Sequence, residues 1–182
     1  QYLGFHQGFS LYNVGFTAGI VGMVVLGFLN AFGIEVETKA LANTESPFIL
    51  YGLLIGLCLI LLATSFYLHV QKKEKYHFKL LLKLSGRLPS DFVEMTNLAT
   101  VTFNMSIMGF ILLGYVLING GQLNGPIVGS IIGAMSFGAF GNQVKNTVPV
   151  LVGIMIGCYL TGVDVASTSA LVAAIFGTTL AP

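Results

Sequence analysis

The chain has 182 residues, of which 55% are hydrophobic and only 8% charged. A soluble domain of this size covers its surface with about 25% charged residues, so the composition excludes an ordinary water-facing globule. Net charge is +1, and six of the eight basic residues sit in one short stretch between apolar runs, which argues against nucleic-acid binding.

Residues 11–32 are 22 in number and carry no charge. As a helix they extend about 33 Å, enough to cross roughly 30 Å of hydrocarbon. Glu35, Glu37, Lys39 and Glu45 then form a mildly acidic loop ended by Pro47. Residues 48–70 make a second span, with Tyr67 and His69 as interfacial residues near its end.

The basic segment follows at residues 71–90. Lys72, Lys73, Lys75, Lys79, Lys83 and Arg87 are six of the eight Lys and Arg in the chain. The bias of such residues toward the inner side of a membrane makes this a cytoplasmic loop. Residues 77–84, His-Phe-Lys-Leu-Leu-Leu-Lys-Leu, place Lys79 and Lys83 four apart with leucines between. That pattern suits an amphipathic helix on an anionic leaflet; the preferred reading is a solvated connector.

Ser90 or Asp91, with Glu94 beyond, has the chemistry of a helix N-cap. One helix is expected from Asp91 to Asn119, its apolar part being residues 101–118. Residues 119–126, Asn-Gly-Gly-Gln-Leu-Asn-Gly-Pro, form a turn-rich loop. Three shorter apolar runs follow, at 127–140, 148–160 and 169–180, separated by a polar interruption at 141–147 and a loop at 161–168 that holds Asp164. Runs of this length suggest buried, re-entrant or interrupted helices. Lys145 could lengthen the middle run to a full span by snorkelling, and Pro149 is tolerated near a helix start.

Glycine numbers 23, against about 13 at the usual 7%. Several are four apart: Gly15/Gly19, Gly52/Gly56, Gly125/Gly129/Gly133 and Gly153/Gly157. Small residues at this spacing share a helix face and let backbones approach closely in lipid, so these are the expected helix-packing positions. Cys58 and Cys158 fall in apolar runs as free thiols. No His/Cys/Asp/Glu cluster has metal-ligand spacing. No paired carboxylates, His cluster or Ser/Lys dyad has spacing for catalysis, so neither an enzyme nor a cofactor is expected.

The spans contain amides and hydroxyls. Asn13 follows Tyr12, and Asn104 follows Phe103; each pair opens a glycine-containing apolar run that closes on another Asn, Asn30 and Asn119. This suggests a loose internal repeat offset by 91 residues. Asn13 and Asn104 read either as glue between helices or as groups lining a solute path. Lys145 and Asn146, after a glycine-rich break, could hold an anion on free backbone N–H groups; a plain turn is the preferred reading. The hydroxyls of Thr178 and Thr179 would face a cavity from a re-entrant half-helix. Tyr12, Asn13, Asn104, Lys145, Asn146, Thr178 and Thr179 are therefore the solute-path candidates.

Three segments carry a resemblance: residues 6–22 (His-Gln-Gly-Phe-Ser-Leu-Tyr-Asn-Val-Gly-Phe-Thr-Ala-Gly-Ile-Val-Gly), residues 137–146 (Phe-Gly-Ala-Phe-Gly-Asn-Gln-Val-Lys-Asn) and residues 176–182 (Phe-Gly-Thr-Thr-Leu-Ala-Pro). Together they resemble a family of uncharacterised bacterial multi-pass membrane proteins, a domain of unknown function. The resemblance implies a bacterial cytoplasmic membrane and no particular activity. A fainter likeness is to urea transporters, whose Gly-Leu-x-Gly-Tyr-Asn-Gly-x-Leu-Val-Gly helix start is similar to residues 8–22. It implies a channel with two repeats and re-entrant half-helices. Only Tyr12 and Asn13 match in type, and the Asn-Pro signature of the re-entrant loops is absent, so no selectivity residue carries over.

The expectation is an all-α integral membrane protein, a polytopic bundle of five to six apolar helical segments, some short or re-entrant. Residues 1–182 form a single membrane domain that reads as a piece of a longer polypeptide. Its partners would be the lipid bilayer and either the missing remainder or a second copy. The expected function is passage of a small polar or neutral solute by a channel or uniporter, against a non-transporting scaffold or subunit that packs through glycine faces.

Overall fold

Long charge-free runs leave the backbone polar groups only one another to bond with in an apolar setting, and the α-helix meets that demand within each segment. In the computed structural model, residues 12–34, 47–86 and 91–180 are described, with side chains from residue 21 onward except that of Pro47. All regular structure among them is helical. The acidic loop, Arg87 and Ser90 lie outside the described residues, as do the side chains of Tyr12, Asn13, Gly15 and Gly19.

The chain divides into two units, residues 1–41 and 42–182. In the first, α1 (Tyr12–Ala31) is a 20-residue helix. It ends where Gly33, at φ +75°, lets the Ile34 N–H turn back to the Leu29 carbonyl at 3.0 Å. Asn13 is the second residue of α1, whereas Asn104 lies two turns inside its own helix.

The second unit is built around α5 (Leu98–Ile118), of which eleven residues are buried. Against it runs α2 (Pro47–Gln71). Ser65 Oγ donates to the Ala99 carbonyl at 2.6 Å and Ser106 Oγ to the Cys58 carbonyl at 2.9 Å. Seven residues back along α2 match seven forward along α5, so the two helices are antiparallel. Gly109 allows the close approach: a Cβ there would stand 2.5 Å from Cys58 Sγ.

The basic connector does not lie as a surface helix. Only one turn, α3 (Phe78–Leu81), forms, and Leu81 is fully buried. It packs with Phe92 and Val101, flanked by Phe78, Leu84, Met105 and Ala139. Of the leucines in the stripe over residues 77–84, Leu81 is covered by protein and Leu82 and Leu84 are half-buried, while Leu80, Lys79 and Lys83 are exposed.

The single helix expected from Asp91 breaks in two. Asp91 caps only α4 (Phe92–Met95), accepting from the Val93 and Glu94 N–H groups. Asn97 then adopts an extended backbone and caps α5, its Oδ1 accepting from Thr100 N at 2.9 Å. Two contacts from the connector fix this second start: Asn97 Nδ2 donates to the Lys75 carbonyl at 2.7 Å, and Ala99 N donates to Glu74 Oε2 at 3.0 Å.

Beyond α5, Asn124 caps α6 (Gly125–Ser136), accepting from Ile127 N at 3.0 Å. A 3-10 turn, Phe137–Ala139, continues it. The next helix, α7 (Val144–Thr161), is 18 residues rather than 13, because the polar run that interrupted the sequence pattern supplies its cap. It ends at Gly162, whose left-handed φ of +70° stops the helix. Finally, α8 (Thr168–Gly177) closes with the 3-10 turn Thr178–Leu180. Asn124 Nδ2 donates to Thr168 Oγ1 at 2.8 Å, and Gly133 faces the Phe176 ring, so α6 and α8 start at the same end and run parallel.

Among the described residues, most of the paired glycines expected to pack helices have no neighbour close by. A Cβ on Gly52, Gly56, Gly125, Gly129, Gly153 or Gly157 would meet nothing within 4 Å; only Gly133 has a neighbour, at 3.6 Å. The close approaches are at Gly109, Gly121, Gly138 and Gly177, and between Gly86 and Gly141.

Candidate functional site: the amide cluster at the α6–α7 break

Between the 3-10 turn after α6 and the start of α7, residues 140–143 leave the helical path: the Phe140 and Asn142 N–H groups both donate to the Phe137 carbonyl, at 2.9 and 3.0 Å. An irregular backbone inside an apolar bundle needs partners, and side chains from α5 and α7 supply them. Asn104, fully buried on α5, donates through Nδ2 to both the Gly138 and the Asn142 carbonyls at 2.9 Å. Gly138 eases this approach, because a Cβ would crowd Asn104 Nδ2 and Met105 Cγ, each at 3.1 Å.

Asn142 is likewise fully buried. Its Nδ2 donates to the Ala134 carbonyl at 3.3 Å, and its Oδ1 accepts from Thr147 Oγ1 at 2.8 Å. Asn146 staples the turn in both directions: Oδ1 accepts from Gln143 N at 2.9 Å, and Nδ2 donates to the Gly141 carbonyl at 3.1 Å. Gln143 reaches out of the break, donating through Nε2 to the Leu84 carbonyl at 2.7 Å. The connector is thereby latched over the break, and Gly86 and Gly141 meet there backbone to backbone. Gly141 has φ +121° and Gly86 φ +75°, so a side chain at either would be strained and would strike the other's carbonyl.

Asn104 Nδ2 has two acceptors, and the Asn142, Gln143 and Asn146 amide nitrogens and the Thr147 hydroxyl have at least one each. Two oxygens, Asn104 Oδ1 and Gln143 Oε1, are buried and accept no hydrogen bond among the described residues. The orientation of Asn104 is fixed: turning its amide would set an oxygen against two carbonyl oxygens.

Of the solute-path candidates, the fold brings together Asn104 and Asn146, both of which bond the 138–142 segment. Lys145 is adjacent in sequence but exposed. Thr178 and Thr179 donate to the Ile175 and Phe176 carbonyls, each at 2.6 Å, and so close the last turn of α8. Sequence reasoning left out Asn142, Gln143 and Thr147. Their signal was a Gly-Asn-Gln triplet between two apolar helices, a pattern that also describes a plain turn.

The described residues thus define an all-helical protein. Phe48–Gln71, Leu98–Ile118 and Val144–Thr161 are long and apolar enough to cross a membrane, and shorter apolar helices accompany them. The chain belongs to the family described as protein of unknown function (DUF1576), whose pattern it matches over residues 1–31 and 70–182. The amide cluster and α5 to α8 all fall within the matched residues; α2 lies almost wholly outside them. No curated protein matches the chain. No solved structure matches it.

Proposed function

We propose that this is a polytopic protein of the bacterial cytoplasmic membrane that passes a small polar or neutral solute, as a channel or uniporter. The observation that carries the reading is the α6–α7 break. Helix α6 has only 12 residues and gives way to irregular backbone beside Asn104. That residue is six positions along α5 from Leu98, about 9 Å into the helix. Non-helical backbone at membrane depth is tolerated where protein buries it or where it lines a path, and interrupted helices carry the binding groups of many transporters.

Membrane placement is supported by the outer surface. Phe48, Ile118, Tyr159 and Leu160 are all more than 80% exposed, an apolar face suited to lipid. The lysines of the 72–83 connector gather at one end, which orients that end to the cytoplasm. The buried polar residues among those described are Ser, Thr, Asn and Gln, with no carboxylate or amine, which argues against proton-coupled pumping.

Stopped-flow swelling of proteoliposomes with a panel of small neutral solutes tests the proposal. Faster equilibration than in empty liposomes is expected for at least one solute, and equal rates for all would refute it. One observation favours the alternative, a non-transporting scaffold or subunit: among the described residues nothing lies close to Gly52/Gly56 or Gly153/Gly157, small-residue strips on α2 and α7. A second copy or a further segment of polypeptide could pack there. Absent flux together with a stable assembly lost on bulking these glycines would support that reading.

A further inference from the structure

We infer that the turn after α2 is a docking site for the headgroup of an anionic phospholipid, held by Lys72, Lys73 and Lys75. The inference rests on the membrane placement proposed above and not on solute passage. Described charge is divided between the two ends of the second unit. Lys72, Lys73, Lys75, Lys79, Lys83 and Lys145 lie at the end where α2 stops and α5 and α7 begin, together with Glu74, Asp91 and Glu94; Asp164 lies past the far end of α7. Two of those three carboxylates are already engaged: Glu74 accepts from Ala99 N, and Asp91 from the Val93 and Glu94 N–H groups. All six lysines are exposed, and no hydrogen bond or ion pair joins their ammonium groups to another described residue.

Lys73 marks the place within that surplus. Among the described residues it is the one non-glycine with a left-handed backbone, at φ +56°. It ends α2 as a glycine ordinarily would, the Glu74 N–H turning back to the Leu68 carbonyl at 3.5 Å. The turn is clamped without the lysine side chains. His69 Nδ1 donates to the Glu74 carbonyl at 2.7 Å, Glu74 Oε2 accepts from Ala99 N, and Asn97 Nδ2 donates to the Lys75 carbonyl at 2.7 Å. Glycine would take the same backbone with less strain, so the fold does not ask for a lysine there. The carbonyl end of α2 favours a cation, but one exposed ammonium supplies that small effect. Three on residues 72–75 leave positive charge for an external anion.

The depth of the turn selects a lipid. Tyr67 and Val70 on α2 and Leu98 at the start of α5 are exposed, an apolar and aromatic boundary of the kind found at membrane interfaces. Gln71, the last residue of α2, is four residues past Tyr67, about 6 Å along the helix, and a headgroup layer is about 5–8 Å deep. The lysines that follow therefore stand at headgroup depth. A phosphodiester whose headgroup carries no amine complements them, whereas choline and ethanolamine headgroups bring their own cation. The contact differs from an amphipathic helix lying over residues 77–84, where Leu81 is buried.

The test is thermal unfolding in a neutral detergent, with phosphatidylglycerol replacing phosphatidylcholine at constant total lipid. Phosphatidylglycerol is expected to raise the midpoint saturably, by about 5–10 °C at a hundredfold excess over its half-point, and less at high salt. The triple variant Lys72→Gln, Lys73→Gly, Lys75→Gln should raise the half-point about a hundredfold, at about fivefold per lysine. Lys73→Gly alone separates binding from folding: it should raise the midpoint in phosphatidylcholine while raising the phosphatidylglycerol half-point about fivefold. A midpoint indifferent to phosphatidylglycerol overturns the inference, as does a half-point that the triple variant leaves unchanged. If the triple variant does not fold, Lys73→Gly decides, and an unchanged half-point overturns the inference. Flotation with pure phosphatidylcholine vesicles after an alkaline wash tests the membrane placement separately. Protein that floats but shows no phosphatidylglycerol response refutes the lipid site alone; protein that does not float refutes both.

Discussion

Replacing Asn104 with alanine removes the one side chain that ties α5 to both sides of the α6–α7 break. It loses two hydrogen bonds, to the Gly138 and Asn142 carbonyls. Between helices in a membrane each such bond contributes about 0.6 kcal/mol on average and up to about 1.7. The site is fully buried, so the vacated volume adds about 1 kcal/mol. The expected loss is about 2–4 kcal/mol, or a midpoint lower by about 5–15 °C for a chain of this size. Ser106→Ala is the control: it removes a single cross-helix bond, to the Cys58 carbonyl, and should cost a third or less of that. Cys58 is fully buried, so labelling by a thiol-reactive fluorophore during heating reports unfolding; a Cys158→Ser background removes the half-buried second thiol. Asn104→Leu separates the terms, since it restores volume but not the bonds and should recover only the cavity part. An Asn104→Ala midpoint within about 1 °C of its parent would refute the clip and the depth assigned to the break.

The glycines give a contrast within one residue type. Gly109→Ala should destabilise the fold by about 1–3 kcal/mol, because its Cβ meets Cys58 Sγ between α2 and α5. Gly52→Ala and Gly153→Ala, with open space around them, should be neutral or raise stability by up to about 1 kcal/mol through helix propensity; thermal melts of the same preparation compare them. At the start of α5, Glu74→Gln keeps an acceptor for Ala99 N but removes the charge beside the helix N-terminus. It should cost about 0.3–1 kcal/mol, shrinking as salt is raised, as melts at two salt concentrations would show.

How much the sequence determined depended on whether the cause was local. The positions of α1, α2 and α7, the shortness of α6 and α8, and the basic connector all follow from runs of apolar residues and their punctuation, which bear on each segment alone. The family of the chain was legible in the same way, from contiguous motifs. The start of α5 was not. Asp91 and Asn97 are both good caps, and Asn97 begins the long helix because Glu74 and Lys75, more than twenty residues away, bond to that turn.

The amide cluster shows the same division. Asn104 stood out in the sequence as a polar residue in an apolar run, yet its partners at Gly138 and Asn142 are 34 and 38 residues distant. The glycine spacing marked which faces are small, but whether another helix comes close is a property of the assembled bundle, and it does so at Gly109 and Gly138 instead of Gly52 and Gly153. A solvent-like apolar environment forces each segment into a helix by itself, so the segments are written in the sequence. Which buried oxygens lack a donor depends on how those helices meet, and only the tertiary structure decides that.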